Sequence, residues 1–305
     1  MLRKLIIAGL IAATLGLTGF AFVTSPQVVP GRALGPHQPN LDNGKAMFAA
    51  GNCASCHATP NQEDMARLGG GHEMKTPFGI FHAPNISPDE NDGIGGWTEA
   101  QFVTALLKGT SPDGSHYYPA FPYPSFQRMA LADARDLFAY IKSLPKVSGK
   151  AAAHALGFPF NIRATLGGWK LLFLDGEPFQ PNPAQSAQWN RGAYLVNGPA
   201  HCAECHSPRN LLGGIVQSQR FAGGPDLEGE GFTPNITQKG LGDWSEKDIA
   251  NMLETGDLPD GDRVGGAMVK VVRNTAQLSA DDRAAMAAYI KSLPPVDGPA
   301  RPRRD

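Results

Sequence analysis

The residues best placed to do chemistry in this chain of 305 are its four cysteines, which fall in two copies of one pattern: Cys53-Ala-Ser-Cys56-His57 and Cys202-Ala-Glu-Cys205-His206. Two thiols three positions apart on a helical turn can add to the two vinyl groups of one haem, and the adjoining imidazole then reaches the iron. C-x-x-C-H is the signature of that attachment, so two covalent haem c groups are expected, with His57 and His206 as axial iron ligands. A pair of disulfides, a half zinc site in each copy and a thioredoxin-like redox pair are the competing readings. None of them explains a histidine that trails the second cysteine twice, and zinc would want further Cys or His at matching spacing.

The motifs lie 149 positions apart, as do two copies of Ala-Tyr-Ile-Lys-Ser-Leu-Pro, at Ala139 to Pro145 and Ala288 to Pro294. The intervening landmarks keep their order: Pro84-Asn85-Ile86 and Pro234-Asn235-Ile236, Trp97 and Trp244, Gly109 and Gly256, Pro112-Asp113-Gly114 and Pro259-Asp260-Gly261. The chain therefore reads as a tandem duplication in which each motif owns a domain.

A haem used for electron transfer usually has both axial positions filled, and a Met thioether opposite His raises the reduction potential. Met286 aligns with Leu137 and Met252 with Ala105, both on helix faces, where Met fills cores. That leaves Met268, in the Gly-flanked loop Val264-Gly265-Gly266-Ala267-Met268, as the expected ligand of the second iron. Met129 occupies the same interval before the last helix of the first copy, after the aromatic segment from Tyr117 to Phe126, and is the expected ligand of the first. Met74 and Met65 are its runners-up. The histidines His37, His72, His82, His116, His154 and His201 do not recur in register, apart from His116 standing where Arg263 does, so bis-His ligation is the weaker alternative. Trp97 and Trp244 do recur, either as core residues or as indole N–H donors to a haem propionate.

The elements that must hold these groups are short. Thr98-Glu99-Ala100-Gln101 and Ser245-Glu246-Lys247-Asp248 resemble helix-opening signals for stretches that close at Gly109 and Gly256. The last helix of each copy carries an i, i+3, i+4, i+7 apolar stripe, Leu137, Tyr140, Ile141 and Leu144 in one and Met286, Tyr289, Ile290 and Leu293 in the other. A further short helix is expected before each Cys pair. With 36 Gly and 26 Pro gathered in the loops, the layout is all-α: a few short helices around a haem that replaces much of the apolar core.

Domain boundaries follow. Residues 1–24 are a leader, 25–40 a linker, 41–146 the first haem domain, 147–188 a connector, 189–297 the second haem domain and 298–305 a tail. In the leader, Arg3 and Lys4 precede an apolar run from Leu5 to Val23, long for a signal-peptide core and close to the roughly 20 residues that span a bilayer. It reads as a membrane anchor, with a cleaved signal as the alternative, and the positive-inside rule leaves the haem domains on the periplasmic side either way. The connector segment Leu166-Gly167-Gly168-Trp169-Lys170-Leu171-Leu172-Phe173 is too apolar for a free linker and is expected to pack between the domains. A net charge of -1 with interspersed signs offers no basic face to nucleic acid.

These motifs, together with Tyr118-Pro119-Ala120-Phe121-Pro122-Tyr123, the connector stretch Phe158-Pro159-Phe160-Asn161-Ile162-Arg163 with Trp169 and Phe173, and Arg191-Gly192-Ala193-Tyr194-Leu195, resemble a known family. It is that of the dihaem cytochrome c proteins similar to the cytochrome c subunits of membrane-bound bacterial dehydrogenases for alcohols, aldehydes and sugar acids. The resemblance covers roughly Leu41 to Val296. It implies two class I cytochrome c folds with His/Met irons, Met129 and Met268 matching the family's distal ligands. Those subunits commonly carry a third haem domain and a C-terminal membrane element, whereas this sequence has two haem motifs and its apolar run at the N-terminus. The function implied is single-electron transfer from a periplasmic dehydrogenase to a soluble cytochrome or terminal oxidase, without bond chemistry of its own. A dihaem peroxidase or thiosulfate-oxidising cytochrome is the alternative; a peroxidase would need a vacant iron, and a thiosulfate-type site a spare cysteine.

Overall fold

In the computed structural model, which describes residues 1–228 and 231–301, two capping boxes fix the middle helix of each domain. Thr98 accepts from Gln101 N–H and Ser245 from Asp248 N–H, while the Gln101 and Asp248 side chains reach back to the capping residue's own N–H. Both helices stop at a left-handed glycine, Gly109 (φ 59°) and Gly256 (φ 80°), where any Cβ would be strained. The longer helices, in chain order, are α1 (Leu2–Val23), α2 (Leu41–Ala50), α3 (Glu99–Lys108), α4 (Leu131–Lys142), α5 (Thr165–Phe173), α6 (Ala187–Asn197), α7 (Glu246–Thr255), α8 (Met268–Thr275) and α9 (Ala280–Lys291).

Each domain is organised by one helix crossing, α2 on α4 in the first and α6 on α9 in the second. Both crossings are made at a glycine. Gly44 lets α2 come against the Asp136 carbonyl and Tyr140, and Gly192 lets α6 come against the Ala285 carbonyl and Tyr289. The expected stripes face inward: Leu137, Ile141, Met286 and Ile290 are all buried. Polar clamps flank the crossings. Asn43 donates to Asp133 and Asp136 (2.8 Å each), and Arg191 makes a two-pronged pair with Asp282 (2.7 and 3.0 Å).

Strands are the departure from an all-α fold. β1 (Glu73–Thr76), β2 (Gly79–His82) and β3 (Ala155–Leu156) form an antiparallel sheet in that order, and β4 (Gly224–Pro225) pairs with β5 (Phe232–Thr233). The longest of these runs is four residues, too short to set up a legible alternation, and Pro77-Phe78 turns β1 into β2 so that Met74 stands opposite Phe81. Of the expected tail, residues 302–305 lie outside the described residues.

The two domains share an interface. Tyr194 of α6 accepts from Ala130 N–H (3.1 Å) and donates to Asp133; Asn274 donates to Asn52 (2.6 Å) and Ser55 (3.0 Å); Ser125 donates to Glu204 (2.6 Å). The connector helix α5 touches both. Trp169 donates to the Leu212 carbonyl (2.8 Å) in the second domain, and Lys170 donates to the carbonyls of Lys108 and Gly109 (2.7 Å each) in the first. Its Gly168 lies against Phe20 near the end of α1, a helix long and apolar enough to cross a membrane.

The segment before α2 is tied down by a buried carboxylate. Asp136 accepts from His37 (2.7 Å), Asn40 N–H (2.9 Å) and Asn43 (2.8 Å). Burial works to raise its pKa, but these hydrogen bonds, led by Asn40 N–H, outweigh it and hold the carboxyl below the usual range. A depressed carboxylate stabilises the fold above its unfolded pKa of about 4, and that contribution disappears as the pH falls through the lower folded value. Asp136→Asn should therefore lower stability by about 2 kcal/mol at pH 7. Urea midpoints of variant and parent should converge below about pH 4; a gap that stayed constant to pH 3 would show that charge plays no part.

Candidate haem sites

Asn52 and His201 each take a left-handed backbone conformation (φ 52° and 41°), turning the chain from the end of α2 or α6 into its Cys pair. Cys53–His57 is a single helical turn and Cys202–Glu204 a 3-10 turn, which brings both thiols and the histidine of each motif to one side. Both motifs open onto one continuous cavity of about 1990 Å³, also lined by Trp97 and Trp244. None of the four cysteines is in a disulfide. Burial pushes the Cys53 and Cys202 thiols up to about 12 and those of Cys56 and Cys205 up to about 11. The direction is opposite to that of the lowered-pKa thiolates of a metal or redox-active pair.

The imidazoles are oriented identically. His57 Nδ1 donates to the Pro84 carbonyl and His206 Nδ1 to the Pro234 carbonyl, at 2.8 Å in both. A carbonyl can only accept, so the proton sits on Nδ1 and Nε2 is left with its lone pair. Burial is the main cause that lowers both pKa values and keeps the rings neutral, as an iron ligand must be.

The Pro-Asn-Ile turns, landmarks of the duplication, supply this orientation. Asn85 donates to the carbonyls of Val147 (2.7 Å) and Gly149 (2.9 Å), and Asn235 to that of Val296 (2.8 Å), pinning each turn to the chain that leaves the last helix. Their asparagine oxygens accept from Ser87 N–H (2.8 Å) and Thr237 N–H (2.9 Å). The repeat of Pro-Asn-Ile 27 and 28 positions after the two histidines was the available signal.

Met268, expected in a loop, is the first residue of α8 and lines the cavity. Met129 does not. It is 2% exposed and packs in the hydrophobic core, outside the cavity wall, while the wall is formed by Phe121 and its neighbours. Expected at the first iron, Met129 here has its N–H on the Phe126 carbonyl (2.9 Å) just as Leu278 N–H bonds to that of Thr275 (3.1 Å), the backbone position of a core leucine in the second domain. Met74 lines the cavity and Met65 does not.

The two motifs also touch. His201 donates through Nε2 to the Gly51 carbonyl (3.2 Å) and packs edge-on to Phe126 (5.5 Å), so the segment before Cys202 rests on the segment before Cys53. Glu204, between the second pair of cysteines, is buried with Arg209 (2.6 Å) and Ser125 as partners.

Comparison with known proteins agrees with this arrangement. The cytochrome c family model matches residues 41–145 and again 189–294. A protein of Cereibacter sphaeroides described as a diheme cytochrome c-type is 45% identical over 97% of this chain and 100% of its own length. A nicotinate dehydrogenase subunit of Pseudomonas putida is 40% identical over 94% of this chain and 24% of its own length. The fructose dehydrogenase cytochrome subunit of Gluconobacter japonicus is 38% identical over 85% and 53%. The chain thus spans the whole of the first relative, a quarter of the second and about half of the third. With its family model matched twice, once around each C-x-x-C-H motif, the chain belongs to the cytochrome c family as a two-domain member that carries two covalent haem c groups.

Proposed function

We propose that the chain is an electron-transfer protein that takes single electrons from a periplasmic dehydrogenase and passes them to a downstream cytochrome or terminal oxidase. The observation that carries this reading is the meeting of the two attachment segments at Gly51 and His201 on one shared cavity. A bound haem supplies a one-electron Fe(III)/Fe(II) couple. The residues around it do the rest. Cys53, Cys56, Cys202 and Cys205 fix the two groups covalently, and His57 and His206 offer Nε2 to the irons, held by Pro84 and Pro234. Met268 would offer its thioether to the second iron, and Trp97 and Trp244 would donate their indole N–H groups to haem propionates. Apolar side chains such as Ile249 and Leu253 keep water from the second site, which limits the reorganisation that accompanies a change of charge. The helix Leu2–Val23 holds the domains at the periplasmic face of the inner membrane, as an anchor or as the signal that takes them there.

The relatives named as parts of dehydrogenases support a dehydrogenase as donor. Potentiometric titration of the holoprotein should show two one-electron waves, and a periplasmic dehydrogenase fraction with its substrate should reduce both haems. Failure of such a fraction to reduce either haem, with both waves present, would remove the proposed donor.

A further inference from the structure

The two domains follow one plan up to the distal loop and then differ. From Gly109 to Tyr117 and from Gly256 to Val264 their hydrogen bonds repeat at an offset of 147. Tyr117 N–H meets the Gly109 carbonyl (2.8 Å) as Val264 N–H meets that of Gly256 (2.9 Å), and Ser111 N–H meets the Ser115 carbonyl (2.9 Å) as Leu258 N–H meets that of Asp262 (2.8 Å). From Tyr123 and Val272 onward the offset is 149: Gln127 N–H bonds to the Tyr123 carbonyl and Ala276 N–H to that of Val272, both at 2.9 Å. Two extra residues of the second domain therefore lie between these anchors. Counted from the first anchor, Met268 corresponds to Phe121; counted from the second, it corresponds to Pro119. Neither side chain can donate to a metal, and both line the cavity.

Other donors near the first site each make a contact of their own, although the buried Nδ1 of His82 has no partner among the described residues. Met74 stands in the β1–β2 hairpin opposite Phe81, packed against the cluster of Phe81, Tyr118 and Leu166. His154 accepts from His82 N–H (3.2 Å) with its ring against Phe81 and Tyr118, His82 pairs with Glu73, and His72 with Glu228 (3.4 Å each).

Resting on the haem attachment argued above, we propose that the iron of the first domain keeps an exchangeable distal position. Phe121 and its aromatic neighbours wall that position where the second domain presents Met268, and a small neutral π-acceptor, CO or NO, binds the ferrous iron there. The second iron is closed. The distal wall's steric access and polarity decide whether an iron carries electrons only or also takes such a ligand, so the two haems differ in kind.

The test is a CO titration of the dithionite-reduced holoprotein whose haem content has first been fixed at two per chain by its pyridine haemochrome. One CO should bind per two haems, and the oxidised protein should show the near-red sulfur-to-iron band at the intensity of one haem. Phe121→Met should abolish CO uptake and double that band. Met129→Leu, which copies the core residue of the second domain, should change neither. A two-haem protein with a two-haem band and no CO uptake would overturn the inference and leave the electron-carrier reading intact. A protein with fewer than two haems would sink both. If Phe121→Met fails to fold, Met129→Leu and Met74→Leu still decide: loss of half the band, or new CO uptake, in either variant would identify that methionine as the ligand and overturn the proposal.

Discussion

Replacing both cysteines of the second motif, Cys202→Ala with Cys205→Ala, should leave one haem per chain and lower the stability of the second domain while the first keeps its haem. The core of that domain is completed by the cofactor as well as by its helices. Ile249, Leu253, Met286 and Ile290 are each 5% exposed or less, yet all four face the cavity that the cofactor fills. With water in its place, the apolar wall loses its contact with the cofactor, at about 25 cal/mol per Å² of apolar surface left against water. The helices cannot simply close the gap, because α6 and α9 are locked at Gly192 and the Pro234 turn is pinned to Val296. Haem content by pyridine haemochrome and helicity by circular dichroism would check this. A variant that kept full helicity and an unchanged melting curve with one haem would show that the protein alone builds the second domain.

How much of this was readable beforehand depended on whether the signal was local. The two C-x-x-C-H motifs, the capping residues Thr98 and Ser245 and the stop glycines Gly109 and Gly256 are short-range patterns, and each sits where its chemistry requires. The orienting carbonyls of Pro84 and Pro234 were half legible: the turns recur, but nothing in a turn says which side chain it faces. Met129 drew the ligand expectation because it stands just before the last helix, in the same interval as Met268. The two-residue change of register between the distal loops, visible in Ala120-Phe121 against Ala267-Met268, decides the matter only once backbone hydrogen bonds fix the count from both sides. The β1–β2 hairpin and the contact of His201 with Gly51 lie beyond sequence patterns altogether, the first because its strands are four residues long and the second because its partners are 150 positions apart.

The second large effect is expected at a residue with no side chain. Gly192→Ala removes a helix-interior glycine from α6, which by propensity alone should stabilise by about 1 kcal/mol. At this position, however, the new Cβ would stand 1.9 Å from the Ala285 carbonyl oxygen and 2.9 Å from the Tyr289 Cβ. The obstacle is backbone of α9, so no rotamer change relieves it; the two helices must move apart along their whole contact. Overpacking against movable side chains already costs about 1–3 kcal/mol, and here α6 also carries the Arg191 clamp to Asp282 and the Tyr194 bridge to the first domain. Separation strains all three at once. We expect a net loss of at least about 3 kcal/mol, seen as a fall in the melting temperature of the second domain of about 12 °C or more. Gly168→Ala in α5 is the control, since its Cβ would meet only the Phe20 ring edge at 3.4 Å and the propensity gain should show unopposed. If Gly192→Ala melted at or above the parent, the crossing would have slack that these distances deny, and the glycine at the first crossing, where a Cβ would lie 2.2 Å from the Asp136 carbonyl oxygen, would lose its explanation with it.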